Sequence, residues 1–289
     1  MIRFWRYLRR NLALIRAMDD YLREPYYRTL EILFRNGVYI RFPNGDRFRI
    51  HPRFLGMNLA NYEPVLIRKF CKLVHEGMTV VDVGAHIGIY SLMASRRVGA
   101  SGKVIAVEAS PANAQLLRRH LAINGCNNVD VIEAAVGDRS DQIAFTYRPD
   151  PTDPSAFANS IAYDISGQQA TIAMMTLDAI CESASPTLLK IDIEGAEMLA
   201  MRGAGQLLAR ARPVLIVAIH PEPLQALGTS ARELIDYMRA SDYIATNLDR
   251  RVVDDAGFEE VIFEPVSGAT IASTVTAQSA SHAAAARPS

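Results

Sequence analysis

The chain has 289 residues, nearly half of them apolar, which suits one large α/β domain with additions or two small domains. A formal net charge of zero gives no general electrostatic draw to nucleic acid. The three cysteines, Cys71, Cys126 and Cys181, lie far apart and argue against a metal cluster or a disulfide framework.

No apolar run reaches the roughly 18 residues of a membrane span, and arginines break up every apolar stretch near the start. Neither a transmembrane helix nor a signal peptide is expected, and the expected location is cytoplasmic. Residues 1–36 read as helical. Phe4, Leu8 and Leu12 fall near one face, with arginines largely elsewhere. Such a helix packs on its own domain or on a partner subunit, or it lies on a membrane surface. The alternation around Pro43-Asn44-Gly45-Asp46 predicts a hairpin over 37–54. Helical spacing returns over 62–76, with Gly77 as the expected stop.

Strands are then predicted at 79–83, 103–108, 129–134, 187–193, 213–219, 242–246 and 260–264. Helices are predicted at 88–98, 111–124, 195–209 and 230–241. This rhythm means a mostly parallel, doubly wound α/β sheet. A further strand pair, 143–147 and 171–175, flanks a long loop at 148–169 that contains Pro149, Pro151 and Pro154. A loop of that length inside a domain is functional or disordered. Residues after about 267, rich in Ala, Ser and Thr, are expected to form a disordered tail. The expected organisation is an N-terminal extension (1–61), a ligand-binding domain (62–266) and the tail (267–289).

The chemistry concentrates at strand ends. Asp82-Val83-Gly84-Ala85-His86-Ile87-Gly88 reads as a strand end, a glycine turn and a helix start. Backbone N–H groups gather there at the carboxyl end of a parallel sheet. His86 occupies the second position of a dinucleotide G-x-G-x-x-G fingerprint, which argues against NAD or FAD. An adenosyl ligand without a pyrophosphate fits better, and Asp82 suits an amine. Glu108 ends the second strand, where an acid accepts ribose hydroxyls or simply meets solvent. Ser110 and Pro111 suit a helix N-cap and first helical position. Ala135 and Val136 offer a small-residue shelf for an adenine ring, or a plain strand-to-turn transition.

Asp192, Glu194 and Glu197 follow the fourth strand. Glu197 falls in a first helical turn, where the helix dipole alone accounts for an anion. Asp192 and Glu194 can hold an amine or sulfonium, act as a base, or bind a metal; the metal is disfavoured for want of a third clear ligand. His220 ends the fifth strand and is either a base or a structural histidine. His86 is the weaker base candidate, since it can simply wall the pocket.

Together these residues resemble the FkbM family of class I S-adenosylmethionine-dependent methyltransferases, from about Tyr62 to about Pro221. The most specific pieces are Tyr62-Glu63-Pro64, Asp82 to Gly88, Val107-Glu108-Ala109-Ser110-Pro111, and Lys190-Ile191-Asp192-Ile193-Glu194-Gly195-Ala196-Glu197. The resemblance implies a Rossmann-like, seven-stranded, mostly parallel sheet whose last strand is antiparallel. It implies S-adenosylmethionine across the carboxyl ends of strands one to three. Asp82, Gly84, Ala85, His86 and Gly88 would shape the methionine side. Glu108 and Ala109 would lie at the ribose, Ala135 and Val136 at the adenine, and Asp192 at the amine or reacting methyl. His86 stands where the family usually has asparagine, and Ala218 where it often has glutamate.

The expected reaction is O-methylation of a hydroxyl on a small metabolite, sugar or glycan, with Asp192, Glu194 or His220 as base. The 148–169 loop and residues 37–64 would close over the acceptor. The alternatives are N-methylation of another acceptor and a non-catalytic S-adenosylmethionine-binding scaffold. No nucleic-acid partner is expected, while the basic N-terminus offers itself to a membrane surface or a partner.

Overall fold

Near-continuous apolar runs at the centre of the chain place apolar side chains on both faces of each strand, so both faces must be covered. In the computed structural model, which describes residues 25–148, 167–257 and 259–266, this is how the core forms. Val81 and Val83 of β3 (Thr79–Val83), with Ile105 and Val107 of β4 (Lys103–Glu108), pack into one apolar cluster. Val80, Val104 and Ala106 of the same strands pack into the other.

Among the described residues, seven strands make the main sheet: β3, β4, β5 (Val129–Glu133), β9 (Leu188–Ile191), β10 (Val214–Ile219), β11 (Tyr243–Thr246) and β12 (Glu259–Pro265). Their spatial order is β11-β12-β10-β9-β3-β4-β5. β12 runs antiparallel to both of its neighbours, and the other pairings are parallel. The connections run outward in opposite directions from β3 and from β9. The crevice at the carboxyl ends of these two strands is therefore the topological switch point, where ligands bind in such sheets.

Helices α3 (Ile89–Val98), α4 (Pro111–Ile123) and α9 (Ala231–Ala240) match the expected spans to within two residues. Ser110 caps α4 by accepting the Asn113 N–H, with Pro111 at the first helical position. The hairpin β1 (Val38–Arg41) and β2 (Arg47–Ile50) closes through the Asn44-Gly45 turn. A three-stranded sheet, β6 (Ala135–Val136), β8 (Gln168–Met175) and β7 (Asp141–Tyr147), sits beside the main one.

Several expectations need correction. The helix expected over 195–209 is two helices, α6 (Glu197–Arg202) and α7 (Gly205–Ala211). At the break, a β-carbon on Gly203 would lie 2.2 Å from the Gly137 carbonyl oxygen, so another backbone segment packs against this point. Asp178 caps α7 from that side, accepting the Gln206 and Leu207 N–H groups at 3.1 and 2.7 Å. The helix starting at Pro64, α2 (Pro64–Leu73), ends at an extended Val74 rather than at Gly77. Gly77 instead turns into β3 with φ +80°, its N–H on the Val98 carbonyl.

β9 stops at Ile191, because the chain leaves the sheet through Glu194 and Gly195, both at positive φ. β5 stops at Glu133, and Ala135 and Val136 turn away into the small sheet. Of the expected helix over 1–36, residues 25–33 are helical and 34–36 form a turn. The first 24 residues, with Phe4, Leu8 and Leu12, lie outside the described residues. So do most of the 148–169 loop and the tail after 266; residues 168 and 169 belong to β8. Among the described residues, no helix is long and apolar enough to cross a membrane.

Candidate active site

The glycine turn sits at the switch point. Gly84 (φ +75°) and Ala85 both donate to the Val107 carbonyl at the end of β4, at 2.9 and 3.0 Å. A β-carbon on Gly84 would lie 1.8 Å from the Asp192 carbonyl oxygen. Glycine is needed both for this close approach and for the backbone angle. Gly88 (φ +89°) caps α3, with Leu117 packed directly behind it. His86 has φ +50°, and its N–H donates to Glu108 Oε2 at 2.7 Å.

A cavity of about 290 Å³ opens beside this turn. Gly84, Ala85 and His86 line it from the turn after β3, Lys190 from β9 with Asp192 and Glu194 just beyond it, and Ala218 from β10 with His220 just beyond it. Tyr62 and Glu63, just before α2, close one side, with Tyr90 of α3 beneath them. Of the expected site residues, the structure brings together Gly84, Ala85, His86, Asp192, Glu194 and His220. Asp82, Gly88, Glu108, Ala109, Ala135 and Val136 lie outside the cavity lining.

The reasons are local. Asp82 is fully buried behind the turn, where Ser91 Oγ donates to its Oδ2 at 2.6 Å. Its Oδ1 has no hydrogen-bond partner among the described residues. Burial pushes its carboxyl pKa upward, against Lys190 and the Ser91 bond. Glu108 turns inward. Its Oε1 accepts the Ser110 N–H at 2.9 Å and the Asn113 amide at 3.3 Å, and its Oε2 takes His86. Ala135 packs in the small sheet's own core with Ala109 against it, while Val136 joins the main core.

The opposite wall holds a connected set of charges. Lys190 is buried; its Nζ donates to Asp192 Oδ2 at 3.1 Å and lies 4.6 Å from the centre of the Tyr90 ring. Burial disfavours the Asp192 carboxylate, but Lys190 and then His220 overcome this and hold its pKa below the ordinary range. His220 Nδ1–H donates to Glu197 Oε1 at 2.8 Å. A carboxylate only accepts, so this contact fixes the tautomer and turns Nε2 toward the cavity. Nε2 lies 3.4 Å from Glu194 Oε2 and 3.7 Å from Asp192 Oδ1. Burial opposes charge on His220, yet the Glu197 hydrogen bond and the three carboxylates raise its pKa. Burial, then Asp192 and Glu197, lift Glu194 to about 7 against the pull of His220. Burial brings His86 down to about 4, so it stays neutral at neutral pH.

Sequence reasoning missed several residues here. Glu197 is not simply an anion at a helix dipole: it is completely buried and orients His220. Lys190 and Glu63 were visible within motifs but not as cavity walls, and Tyr90 carries a hydroxyl that donates to Glu63. Glu260 stands directly across from Ala218 in the β10–β12 register and lines the same cavity. A carboxylate thus reaches the site from the neighbouring strand, at the level where position 218 carries only a methyl group.

Comparison with known proteins decides the family. The Methyltransferase FkbM domain family matches residues 82–245, more than half of the chain. The chain belongs to the FkbM methyltransferase family. A curated relative, protein-L-isoaspartate O-methyltransferase 2 of Archaeoglobus fulgidus, is 31% identical over 136 residues, covering 46% of this chain and 57% of its own length. Among solved structures, the FkbM methyltransferase of Methylobacillus flagellatus KT is similar with a TM-score of 0.43 and 21% identity. That match covers 64% of this chain and 43% of the other. A SAM-dependent O-methyltransferase of Thermotoga maritima gives 0.41 and 15%, over 80% of this chain and 78% of its own. The chain therefore spans less than two thirds of the length of the Archaeoglobus and Methylobacillus proteins.

S-adenosylmethionine is the cofactor that membership of the FkbM family implies. The donor set suits it. Glu63, Asp192, Glu194 and Glu260 line the cavity against the single lysine, Lys190. Such a lining attracts a ligand that carries an ammonium and a sulfonium, and the glycine turn supplies the close backbone wall beside it.

Proposed function

We propose that this FkbM-family protein is an S-adenosylmethionine-dependent O-methyltransferase acting on a hydroxyl group of a small metabolite, sugar or glycan. The observation that carries this reading is the position of the Asp192–Glu194–His220 cluster in the same cavity as the glycine turn. The bound cofactor supplies a methyl group already activated on a sulfonium. The protein must hold an acceptor oxygen in line with that methyl and draw off its proton.

Gly84, Ala85 and His86 form the cofactor wall, with Asp82 behind them. Glu108 is the ribose residue in this reading: its Oε2 takes a single N–H donor, and a carboxylate oxygen accommodates two. Lys190 holds one oxygen of Asp192, so the carboxylate is fixed in orientation. Glu197 holds His220 with Nε2 toward Asp192 and Glu194. The acceptor proton is drawn to this cluster. Tyr62 and Glu63 support a role for residues 37–64 in closing the acceptor side.

The Archaeoglobus relative's name specifies an isoaspartyl acceptor, hence a carboxylate. The four carboxylates of this cavity repel such an acceptor and favour a neutral hydroxyl. Calorimetry with S-adenosylmethionine, followed by S-adenosylhomocysteine release on a panel of hydroxyl-bearing and isoaspartyl acceptors, tests the reading. Saturable cofactor binding is expected, with turnover on a hydroxyl acceptor. His220→Asn should lower kcat at least about a hundredfold at nearly unchanged cofactor affinity. Turnover confined to isoaspartyl peptides, or no cofactor binding at all, sinks the proposal.

A further inference from the structure

We propose that Asp192, Glu194 and His220 form a binding site for one first-row divalent cation on the acceptor side of the cavity. One ligand atom from each residue lies within 4.8 Å of the others. His220 Nε2 is 3.4 Å from Glu194 Oε2 and 3.7 Å from Asp192 Oδ1. Ligand atoms about 2.1 Å from a common ion stand about 3 Å apart when adjacent and about 4.2 Å apart when opposite. The cluster reaches that geometry by closing in by less than about 1 Å.

A second observation points the same way. Glu197 is completely buried, and its Oε1 accepts the His220 Nδ1–H at 2.8 Å. A carboxylate behind an imidazole fixes the metal-binding tautomer and raises the basicity of the other nitrogen. The second Glu197 oxygen is buried with no hydrogen-bond partner among the described residues. Lys190 occupies Asp192 Oδ2, and Oδ1 is the oxygen nearer His220.

The third argument is charge balance, and it rests on the cofactor reading given above. Four carboxylates line the cavity against one lysine. S-adenosylmethionine brings one net positive charge, from an ammonium, a sulfonium and a carboxylate. Carboxylates still outnumber the ammonium and sulfonium cations around the site, which favours a divalent cation. One imidazole with two carboxylates selects a cation such as Mn²⁺ or Zn²⁺ over an all-oxygen ion such as Ca²⁺. Water or the acceptor hydroxyl would complete the coordination from the cavity side.

The test is Mn²⁺ titration of the EDTA-stripped full chain, read by loss of the free-ion electron paramagnetic resonance signal. One bound Mn²⁺ per chain is expected. Glu194→Gln and His220→Asn should each weaken binding at least about tenfold. Asp130→Asn, in a surface pair with Lys103, should leave it unchanged. Circular dichroism checks that each variant is folded. Glu194 is partly exposed in a turn, so its variant preserves the test if His220→Asn does not fold. Absence of a Mn²⁺ site, or equal uptake by Glu194→Gln and the parent, overturns the inference. Calorimetry on the stripped protein separates the two proposals. Cofactor binding without Mn²⁺ uptake removes the cation site alone. Mn²⁺ uptake that depends on Glu194 and His220, without cofactor binding, removes the methyltransferase reading and leaves the cation site standing.

Discussion

Glu197 shows how one buried carboxylate can set the state of a neighbouring side chain. It is completely buried; its Oε1 accepts both the Gly195 N–H and the His220 Nδ1–H. Exchanging it for glutamine keeps the shape but removes the charge that holds His220 in one tautomer. Glu197→Gln should lower kcat by about ten- to a hundredfold, the range seen when such orienting partners are removed. Cofactor affinity measured by calorimetry should stay within about twofold. An equal loss of affinity and turnover would mean that Glu197 serves the fold rather than His220. At this scale the sequence was legible where spacing alone specifies chemistry. Gly84 is glycine because both its φ and the Asp192 carbonyl demand it. The roles of Glu197 and Glu260 were not legible. A carboxylate in a first helical turn is ordinarily explained by the dipole, and the Ala218–Glu260 pairing depends on strand register, which no local pattern reveals.

Elements were read well where apolar runs and caps agree. β3, β4, α3, α4 and α9 follow their sequence signals, and the Ser230–Glu233 capping pair starts α9 at Ala231. The failure at 195–209 has a tertiary cause. Helical spacing continues through Gly203, but the Gly137 backbone occupies the space beside it, and Asp178 caps the second helix from a distant segment. Gly203→Ala tests this directly. In an unbroken, exposed helix the change would stabilise by up to about 1 kcal/mol. Here the new methyl group meets a carbonyl oxygen at 2.2 Å, and backbone cannot move aside as a flexible side chain does. The variant should lose about 1–3 kcal/mol in urea unfolding. A gain in stability would show that the two helices are separated by something other than this contact.

A buried histidine pair that no motif announced ties the N-terminal hairpin to the glycine turn. His120 in α4 donates through Nδ1 to the Ile87 carbonyl and accepts the His51 N–H at Nε2, at 2.8 and 2.9 Å. The hairpin, α4 and the ligand loop thus meet at one imidazole. Burial brings both histidines from 6.5 down to about 4, with Arg119 adding to the effect at His51 and the neighbouring His51 at His120. The unfolded chain therefore binds protons below pH 6.5 that the folded chain refuses until about pH 4. The stabilisation from keeping these rings neutral is complete above 6.5 and is lost as pH falls through that window. Asp82 and Glu108 act in the opposite direction, since burial raises their pKa values and the folded state protonates first. The histidine contribution is best isolated as a difference between proteins. His120→Asn removes one titrating ring and leaves both carboxylates in place. Its unfolding free energy should fall less steeply than the parent's between pH 6.5 and 4, by about 1.4 kcal/mol per pH unit for one proton. Parallel curves for the two proteins over that range would overturn this, showing that His120 takes up its proton as readily in the folded protein as in the unfolded chain.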